Sequence, residues 1–454
     1  MRLIIATNRA PYNIKKPKDD ILLEKSPGGL VAALDPVMKK NQGIWVCGGE
    51  KLLEDYGLTL PYPVKQVKLT PKETKYYYEG FCNTQIWPLF HYFTSRYKMD
   101  IKDWGFYKQV NQKFANQIME IIEPEDRIWV HDYQLMMVPK LLREKGATQK
   151  IGFFLHIPFP NLEIYRIFPK RYEILESLLN CDLIAFHTES YKRHFLECVD
   201  HFMGHDVERV DNKIIYKGRT ISVEALPISI DYKEIEKIAA SEPTELKLAE
   251  LKKMYAGQLV GLGVDRLDYT KGVNEKLEGL EYFLDNNPEY IKRLSYIQIA
   301  VPTRSNVHDY MKIKRQTDEM VGRINGKFSK DGWSPIQYLY SNLKFEDLVG
   351  YYRLADFIIV SALRDGLNLV AKEYVAARIH NGGQLILSEF TGAAEEMPYR
   401  ALINPFDVTS ISEAIAKVLK TDETIRYKSM SETRAYVKEN DIYKWLDKFL
   451  EHLG

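Results

Sequence analysis

The chain has 454 residues, which is too long for one hydrophobic core. Of these residues 45% are hydrophobic and 28% are charged, which is the composition of an ordinary globular protein. Lys and Arg number 63 and Asp and Glu 62, and the formal net charge of +1 excludes a broad electrostatic surface for nucleic acid or an anionic membrane. The apolar N-terminal stretch is too short for a signal sequence or a membrane span, and the 4 cysteines form no CxxC pair. These features predict a cytoplasmic protein with free thiols.

Short β-rich runs alternate with longer stretches of helical periodicity along the chain. A first set of strands is predicted at 2–7, 44–48, 127–131, 151–156, 182–187 and 221–226, and a second at 257–264, 294–300, 336–340, 356–361, 384–388 and 401–404. Helices are predicted at 162–180, 189–203, 275–285, 308–323, 346–354 and 409–420. Strands this apolar, without polar alternation, are typical of a parallel sheet buried on both faces. The order of elements predicts an α/β fold with two doubly wound domains.

A Lys- and Glu-rich helical segment at 232–254 separates the two strand sets. Its composition is that of a connector, and it places the domain boundary near 235–250. Ligands are expected outside the carboxyl ends of the strands in both domains.

Polar residues and glycines gather where the strands of the first set end. Arg9 follows the first strand, Asp132 the third and His156 the fourth. In SPGGLVAAL, Gly28 and Gly29 precede a helical pattern, where backbone N–H groups can approach an anion. The same stretch is also compatible with a simple tight turn.

The second set ends in more charge. GVDRLDYTKG supplies Arg266 and Lys271, and VPTRSN supplies Arg304. In DGLNLVAKE, Asp365 and Gly366 lie in a loop, a helix is predicted to start near Asn368, and Glu373 follows one turn later. The N–H groups of such a helix start suit a diphosphate, and a carboxylate in the position of Glu373 suits a ribose.

Each of these residues also has a purely structural interpretation. The alternatives are a surface ion pair for Arg266 and Asp268, core histidines for His131 and His156, core aromatics for Tyr78 and Trp87, and a solvated helix residue for Glu373 beside Lys372. The coincidence of charged or glycine-rich sets at many strand ends nevertheless favours an enzyme cleft.

One cluster resembles a metal site. His194, Cys198, His201 and His205 lie near helical spacing and are ligand types that zinc accepts. Cys198 also belongs to the apolar stripe of this helix, and Gly204 is expected to end the helix before His205. The sequence therefore predicts no metal ion here, and no cofactor.

A set of motifs resembles the signature blocks of the trehalose-6-phosphate synthase family. They occur in family order over residues 3 to about 407 and read SPGGLVAAL, FCNTQIWPLFHY, WVHDYQLMMVP, IGFFLHIPFP, GVDRLDYTKG, RINGKF, LRDGLNLVAKEYVAA and LSEFTGAAEE. The resemblance implies the GT-B fold, in which two Rossmann-like domains face a central cleft and a C-terminal helix crosses back to the N-terminal domain. It divides the chain into an acceptor-binding domain (1–240), a nucleotide-sugar-binding domain (241–430) and the C-terminal helix (431–454).

The resemblance also implies a retaining glycosyltransferase without an essential metal. Such an enzyme transfers glucose from a nucleotide-glucose, with UDP-glucose the first expectation, to glucose 6-phosphate. The partners are then a nucleotide-glucose donor and a sugar-phosphate acceptor, without nucleic acid or membrane, and a homo-oligomer is compatible with the sequence.

Site residues follow from the resemblance motif by motif. The implied catalytic residues are Arg266, Lys271, Asp365 and His156. The implied donor-binding residues are Gly29, Gly366, Asn368, Leu369, Val370 and Glu373. The implied acceptor-binding residues are Arg9, Tyr78, Trp87, Asp132 and Arg304.

Three alternatives stay open at this point. A glucosylglycerol-phosphate synthase would use glycerol 3-phosphate as acceptor, and a validoxylamine-phosphate synthase-like enzyme would couple a cyclitol. A non-catalytic sugar-phosphate sensor would have no need of the leaving-group cations Arg266 and Lys271.

Overall fold

The computed structural model describes residues 2–15, 22–26, 28–41, 43–51, 53, 56, 59–303 and 308–454. Its contacts divide the chain into two compact units, Met1–Ile228 together with Ile442–Gly454, and Ser229–Asp441. The strands are β1 (Leu3–Thr7), β2 (Tyr12–Lys15), β3 (Leu22–Lys25), β4 (Ile44–Gly49), β5 (Val64–Lys68), β6 (Arg127–His131), β7 (Lys150–Phe154), β8 (Leu183–Phe186), β9 (Val207–Val210), β10 (Lys213–Tyr216), β11 (Arg219–Ala225), β12 (Leu259–Arg266), β13 (Leu294–Val301), β14 (Ile336–Tyr340), β15 (Phe357–Val360), β16 (Gln384–Ser388) and β17 (Ala401–Ile403).

The α-helices are α1 (Gly29–Asn41), α2 (Pro71–Glu73), α3 (Trp87–Phe90), α4 (Ile101–Met119), α5 (Val138–Glu144), α6 (Leu162–Tyr165), α7 (Arg171–Leu178), α8 (Glu189–Met203), α9 (Tyr232–Ala239), α10 (Glu242–Met254), α11 (Val273–Asn286), α12 (His308–Phe328), α13 (Phe345–Leu354), α14 (Leu369–Ala377), α15 (Ala393–Glu396), α16 (Val408–Lys420), α17 (Glu423–Glu439) and α18 (Ile442–Leu453). A π-helix at Thr74–Ile86 joins α2 to α3.

The first unit is built on a nine-stranded sheet in the order β5-β4-β1-β6-β7-β8-β11-β10-β9. The strands from β5 to β11 pair in parallel, and only β9 and β10 add antiparallel pairs. Every residue of β1 is buried, as are all residues of β8, which agrees with strands covered by helices on both faces.

The C-terminal helix α18 belongs to this first unit. Its Phe449 ring stacks on Trp129 of β6 with 4.0 Å between ring centroids, and Trp445 Nε1 donates to the Leu226 carbonyl at 3.1 Å. The sheet accommodates the helix at Gly152, where a Cβ atom would lie 2.5 Å from Cζ of Phe449. The predicted return of a C-terminal helix to the N-terminal unit is therefore confirmed, and the helix that returns is Ile442–Leu453.

The second unit holds a six-stranded, fully parallel sheet in the order β14-β13-β12-β15-β16-β17. Helices α9 and α10 form part of its helical layer, because Ile235, Ala239 and Leu251 lie in one buried cluster with Tyr352 and the strand residues. The interpretation of 232–254 as a connector is therefore wrong. The Lys and Glu residues that suggested it occupy the outer face of two amphipathic helices. In the structure the first unit ends at Ile228, before α9, whereas the boundary expected from the sequence, between residues 240 and 241, lies after α9.

Each predicted strand is present within a few residues of its expected position. The predicted helix at 162–180 is two helices, α6 and α7, because Pro169 lies between them and cannot continue the hydrogen-bond ladder. The strands β2, β3, β5, β9 and β10, the helix α4 and the π-helix were not predicted. Each of the four cysteines is buried as a free thiol. Among the described helices, none has both the length and the apolar composition to cross a membrane.

The contact at Gly152 generates a prediction with a matched control. Gly152→Ala places a methyl group against the Phe449 ring, and we expect it to lower the free energy of unfolding by about 1–3 kcal/mol through overpacking. Gly105→Ala lies on the exposed face of α4 with open space around it, and we expect it to be neutral or to stabilise by up to about 1 kcal/mol. Thermal melts of both variants test this, and equal melting temperatures would contradict the assigned contact.

Candidate active site

The strand β12 ends in two charged residues, Asp265 and Arg266. Their side chains lie on opposite faces of the sheet, because successive side chains of a strand alternate between the faces. The Asp265 carboxylate accepts from Lys276 Nζ at 2.6 Å and from Gln298 Nε2 at 3.1 Å, and the Lys276 side chain is fully buried. Gly263 makes room for this cluster, since a Cβ atom there would lie 2.7 Å from Lys276 Nζ. The buried pair fixes the strand end, and Arg266, half-buried, follows it on the other face.

The turn after β12 is held by its own carboxylate. Asp268 Oδ1 accepts from the backbone N–H and the hydroxyl of Thr270, both at 3.0 Å, and Asp268 Oδ2 accepts from the Tyr310 hydroxyl at 3.1 Å. Asp268 is 1% exposed, so the alternative of a surface ion pair between Arg266 and Asp268 is wrong. The carboxylate instead orders the turn that carries Lys271.

Gly272 brings this turn against the loop that follows β15. Its φ of +63° is the left-handed conformation, and a Cβ atom there would collide with the Ser361 carbonyl. The Ser361 hydroxyl donates to the carbonyl groups of Gly272 at 2.9 Å and Lys271 at 3.2 Å. The Leu363 N–H donates to the Thr270 carbonyl at 2.8 Å. The two loops are therefore hydrogen-bonded over several residues.

This contact places Lys271 in an ion pair. Its Nζ lies 2.5 Å from Asp365 Oδ2, and both side chains are largely buried. The Asn368 amide donates to the same carboxylate oxygen at 3.0 Å. The sequence placed Lys271, Asp365 and Asn368 in one site, and the structure brings them together. It adds that the charge of Lys271 is balanced by Asp365.

The helix α14 presents free N–H groups beside this pair. Asn368 precedes the helix with a φ of +83°, and no side chain caps the first turn, which contains Leu369 and Val370. A helix start without a cap leaves donors for an anion. The start near Asn368 is confirmed. Gly366 lies in the buried loop ahead of it, which is fixed by hydrogen bonds from Asp365 N to the Phe390 carbonyl (3.1 Å) and from Ala393 N to the Leu367 carbonyl (3.0 Å).

Glu373 lies on the inner side of α14, where its Oε2 accepts from the Tyr352 hydroxyl at 3.0 Å. Burial raises the pKa of the Glu373 carboxyl, and the Tyr352 hydrogen bond opposes this shift. Lys372 is 1% exposed and pairs with Glu396 at 2.7 Å. Lys372 is thus not a solvated neighbour of Glu373, whereas Glu373 itself is partly exposed with its carboxylate bonded to Tyr352. The sequence did not single out Tyr352, since nothing local places its hydroxyl at Glu373.

In the first unit, the ends of β1 and the start of α1 lie together. The Arg9 guanidinium is 3.5 Å from the position that a Cβ atom on Gly28 would take, and Gly29 begins α1. Asn8 Oδ1 accepts from the Tyr77 hydroxyl at 2.8 Å. The two glycines therefore open a helix beside an arginine, as the anion-binding interpretation expects.

The helix α1 is anchored by Asp35, a buried residue within the helix. The Tyr12 and Tyr62 hydroxyls donate to Asp35 Oδ1 at 2.6 and 2.9 Å, and Lys39 Nζ lies 2.8 Å from Oδ2. Burial raises the pKa of the Asp35 carboxyl, but the hydrogen bonds from Lys39 and Tyr12 and the charge of Lys25 outweigh it and lower the pKa to about 2. The carboxylate is charged at neutral pH and holds the helix start in place.

The ends of β6 and β7 are tied to each other. Asp132 has a φ of +73°, and its Oδ1 accepts from the His156 N–H at 3.1 Å. His131 Nδ1 and His156 Nε2 are 2.9 Å apart and share a proton. Burial is the main cause that lowers the pKa of both imidazoles. A smaller lowering comes from the neighbouring ring, which is His156 for His131 and His187 for His156. Both rings are therefore neutral near pH 7. His131 is fully buried, as its core interpretation expects, whereas His156 is partly exposed.

The aromatic motif forms the π-helix and α3. Tyr78 is half-buried on the π-helix. Trp87 is 5% exposed and packs on His91 and Tyr133, with 4.1 and 5.8 Å between ring centroids. The structure thus places most of the Trp87 ring in the core. Arg304 lies outside the described residues.

The cluster near His194 is a packed helix face. His194 Nδ1 lies 3.0 Å from the Phe159 carbonyl, and Cys198 is fully buried on α8. Within the part of the chain that the structure describes, no three His, Cys, Asp or Glu side chains are grouped closely enough to hold a metal ion.

Comparison with known sequences gives a match over the whole chain. The model of glycosyltransferase family 20 matches residues 1–454. The alpha,alpha-trehalose-phosphate synthase (UDP-forming) A of Dictyostelium discoideum is 38% identical over 461 residues, which cover 100% of this chain and 62% of that relative. The UDP-forming enzyme of Candida albicans is 38% identical over 464 residues, which cover 100% of this chain and 97% of that relative.

Solved structures match equally completely. The alpha,alpha-trehalose-phosphate synthase (UDP-forming) of Burkholderia xenovorans in complex with glucose-6-phosphate is 32% identical, with a TM-score of 0.91 and 100% of both chains covered. An E. coli trehalose-6-phosphate structure bound with UDP-2-fluoro glucose is 34% identical, with a TM-score of 0.90, and 100% of this chain and 99% of that chain are covered. Together with the two parallel-sheet units, these similarities confirm the GT-B fold.

The Tyr352–Glu373 contact generates a prediction about pH. Tyr352→Phe removes the hydroxyl whose hydrogen bond opposes the burial-driven rise of the Glu373 pKa, so that pKa should rise further. We expect an apparent loss of stability of about 1.5–3 kcal/mol at pH 7, where the carboxylate is charged, and of about 0.5–1.5 kcal/mol once the pH is low enough to protonate it. The control is Tyr374→Phe, which removes a buried hydroxyl that donates to the Ala355 carbonyl at 3.3 Å, and its loss should not depend on pH. Urea titrations at pH 7 and pH 4 measure both, and a pH-independent loss in Tyr352→Phe would contradict the contact.

Proposed function

The chain belongs to glycosyltransferase family 20, and we propose that it transfers glucose from UDP-glucose to glucose 6-phosphate with retention, forming trehalose 6-phosphate and UDP. The observation that carries this proposal is the Lys271–Asp365–Asn368 cluster at the uncapped start of α14, in a chain that matches the family over its full length. Relatives that are named UDP-forming, and related structures that hold glucose-6-phosphate or UDP-2-fluoro glucose, support the choice of substrates.

The second unit is proposed to bind the donor. The N–H groups around Leu369 and Val370 donate to the phosphates at the positive helix end, with Gly366 and Asn368 lining the approach. Glu373 binds the ribose hydroxyls, and Tyr352 holds its carboxylate in place. Asp365 holds the donor glucose and keeps Lys271 directed at the diphosphate.

Leaving-group stabilisation is the chemical task of the cations. The bond between the anomeric carbon and the diphosphate oxygen breaks, and negative charge grows on the β-phosphate. Arg266, Lys271 and the amides of α14 stabilise that charge, and they are positioned before the reaction begins. The acceptor hydroxyl attacks from the face that the phosphate leaves, and its proton passes to the departing phosphate oxygen, so the configuration is retained without an enzyme nucleophile.

The first unit is proposed to bind the acceptor phosphosugar. Arg9 beside the Gly28–Gly29 helix start supplies the charge for the phosphate. Tyr78 adds a hydroxyl donor, and Asp132 accepts from the sugar hydroxyls. The exposed part of Trp87 lies against the sugar. Arg304 binds the phosphate, as its motif implies. His156 contacts the donor sugar and Gly29 the diphosphate, as the family motifs imply.

We expect the leaving-group role to appear in kcat. Arg266→Ala should lower kcat by roughly 10²–10³, the range found when one preorganised donor to a developing charge is lost. Lys271→Ala should cost at least as much, because it also leaves the Asp365 carboxylate without its cation. Arg323→Ala removes an exposed ion pair with Glu281 and serves as the control with near-normal rates. Steady-state kinetics with UDP-glucose decides the matter. Variants of Arg266 and Lys271 that change only the donor KM would refute the role.

Acceptor choice separates the proposal from its rival. A site that hydrogen-bonds the hydroxyls of a hexose phosphate leaves those groups unpaired when glycerol 3-phosphate binds, so glucose 6-phosphate should be preferred by at least ~10²-fold in kcat/KM. Product masses from a matrix of donors and acceptors provide the measurement. Equal or faster turnover of glycerol 3-phosphate would assign the chain to the glucosylglycerol-phosphate reaction, and no turnover with any acceptor would favour a sensor.

A further inference from the structure

Three histidines follow three neighbouring strands of the first sheet. His131 ends β6, His156 lies just beyond β7, and His187 follows β8. The His156 ring lies between the other two, with centroid distances of 5.2 Å to His131 and 5.3 Å to His187. His156 is the partly exposed member, while the other two are buried. The surface histidine is therefore backed by buried imidazoles.

The hydrogen bond between His131 and His156 contains one proton, because burial keeps both rings neutral. Either His131 Nδ1–H donates to His156 Nε2, or His156 Nε2–H donates to His131 Nδ1. The first arrangement leaves His131 Nε2 as an acceptor and puts the second proton of the pair on His156 Nδ1. The second arrangement puts that proton on His131 Nε2 and makes His156 Nδ1 an acceptor.

The surroundings of His131 decide between them. His131 Nε2 is buried and has no hydrogen-bond partner, and the same is true of Nε1 of Trp129, whose ring lies 4.5 Å from the His131 ring between centroids. The second arrangement would bury two unpaired N–H donors side by side, whereas the first leaves one N–H and one lone pair. Unpaired buried N–H groups are the rarer of the two. The first arrangement is therefore favoured.

We propose that His131 is a positioning residue that fixes the ring and the tautomer of His156, so that His156 Nδ1–H is presented as a hydrogen-bond donor to a substrate oxygen. The catalytic part of this inference rests on the proposed function, in which His156 contacts the donor sugar. The backbone of His156 is held from the other side, since its N–H donates to Asp132 Oδ1 at 3.1 Å. The described residues provide no hydrogen bond to Nδ1 itself. The ring is thus held at Nε2 and at its backbone, and Nδ1 remains for a ligand.

The tautomer is measured directly on the ligand-free protein. Long-range ¹H–¹⁵N correlation spectra of protein labelled with ¹⁵N-histidine at pH 7.5 distinguish Nδ1–H from Nε2–H. The resonance of His156 is assigned by its loss in His156→Gln. We expect His131 and His156 both to carry Nδ1–H. A wild-type His156 protonated at Nε2 overturns the inference, whatever reaction the protein catalyses.

Two substitutions at position 131 separate positioning from packing. His131→Phe keeps the ring volume and removes the donor, whereas His131→Asn loses the ring but can present an amide N–H near the former Nδ1. We expect His131→Phe to be the more stable variant, with His156 shifting to a mixture that contains Nε2–H. Its kcat/KM for UDP-glucose should fall by about tenfold, the scale on which loss of a histidine's orienting partner acts. His131→Asn should retain Nδ1–H on His156 and stay within about threefold of wild type.

The orders of stability and activity are therefore opposite, which a purely structural role of His131 would not produce. His187→Phe is the matched control, since His187 is equally close to His156 but its Nδ1 accepts from the Ile228 N–H. That variant should leave the His156 tautomer unchanged. The inference is overturned if the more stable of the two His131 variants is also the more active. It is also overturned if His187→Phe changes the His156 tautomer as much as His131→Phe does. A wild-type protein that makes no trehalose 6-phosphate refutes the proposed function, and the spectra still decide the role of His131.

Discussion

The second unit depends on the contact between the turn after β12 and the loop after β15. Gly272 can rest against the Ser361 carbonyl only because it lacks a Cβ atom and adopts a positive φ, and this approach lets Lys271 reach Asp365. The sheet order explains why the two loops meet. The strand β12 lies between β13 and β15, and the chain runs from β12 to β13 and β14 on one side and then crosses to β15 on the other. The strand order therefore reverses beside β12, and ligands bind at the carboxyl ends of the strands at such a point in doubly wound sheets. In the first unit β1 lies between β4 and β6, and Arg9 and Asp132 follow the corresponding strand ends.

Two of the proposed ligand-binding charges in the second unit, Arg266 and Glu373, each have a sequence neighbour in a buried ion pair. Asp265, next to Arg266, pairs with Lys276, and Lys372, next to Glu373, pairs with Glu396. Buried pairs contribute little net stability, because desolvation offsets most of their attraction, but they penalise any displacement that separates them. A strand end or a helix turn anchored in this way holds the adjacent side chain in a fixed position. The segments GVDRLDYTKG and LVAKE are rich in charge because each contains anchoring residues and binding residues. Neighbouring residues can serve these two purposes because they lie on different faces of the strand or helix.

The sequence was sufficient for the twelve strands that carry unbroken apolar runs, which are typical of buried parallel strands. It was also sufficient for the start of α14, which its loop residues mark. It was insufficient wherever a contact joins distant parts of the chain. Lys271 and Asp365 are 94 residues apart, and no local pattern shows that one neutralises the other. Likewise the outward Lys and Glu residues of α9 and α10 were visible, whereas the packing of Ile235 and Ala239 on the second core was not. The short strand β9 escaped prediction because its residues are mostly exposed and two of them are charged. The strand β10 contains only a three-residue apolar run, which is too short to distinguish a strand from a loop.

Lys271 in the second unit and the His131–His156 pair in the first differ in charge, and the difference follows from burial and partners. In the second unit, Lys271 is matched by Asp365, so a cation is kept in a largely buried place without a large desolvation cost. In the first unit, His131 and His156 are partners of each other, and burial removes their charge. A neutral imidazole still has one N–H and one lone pair, and its direction is set by the neighbour that occupies the other nitrogen. A diphosphate that gains charge calls for fixed cations, whereas an uncharged sugar hydroxyl calls for a neutral donor of defined direction.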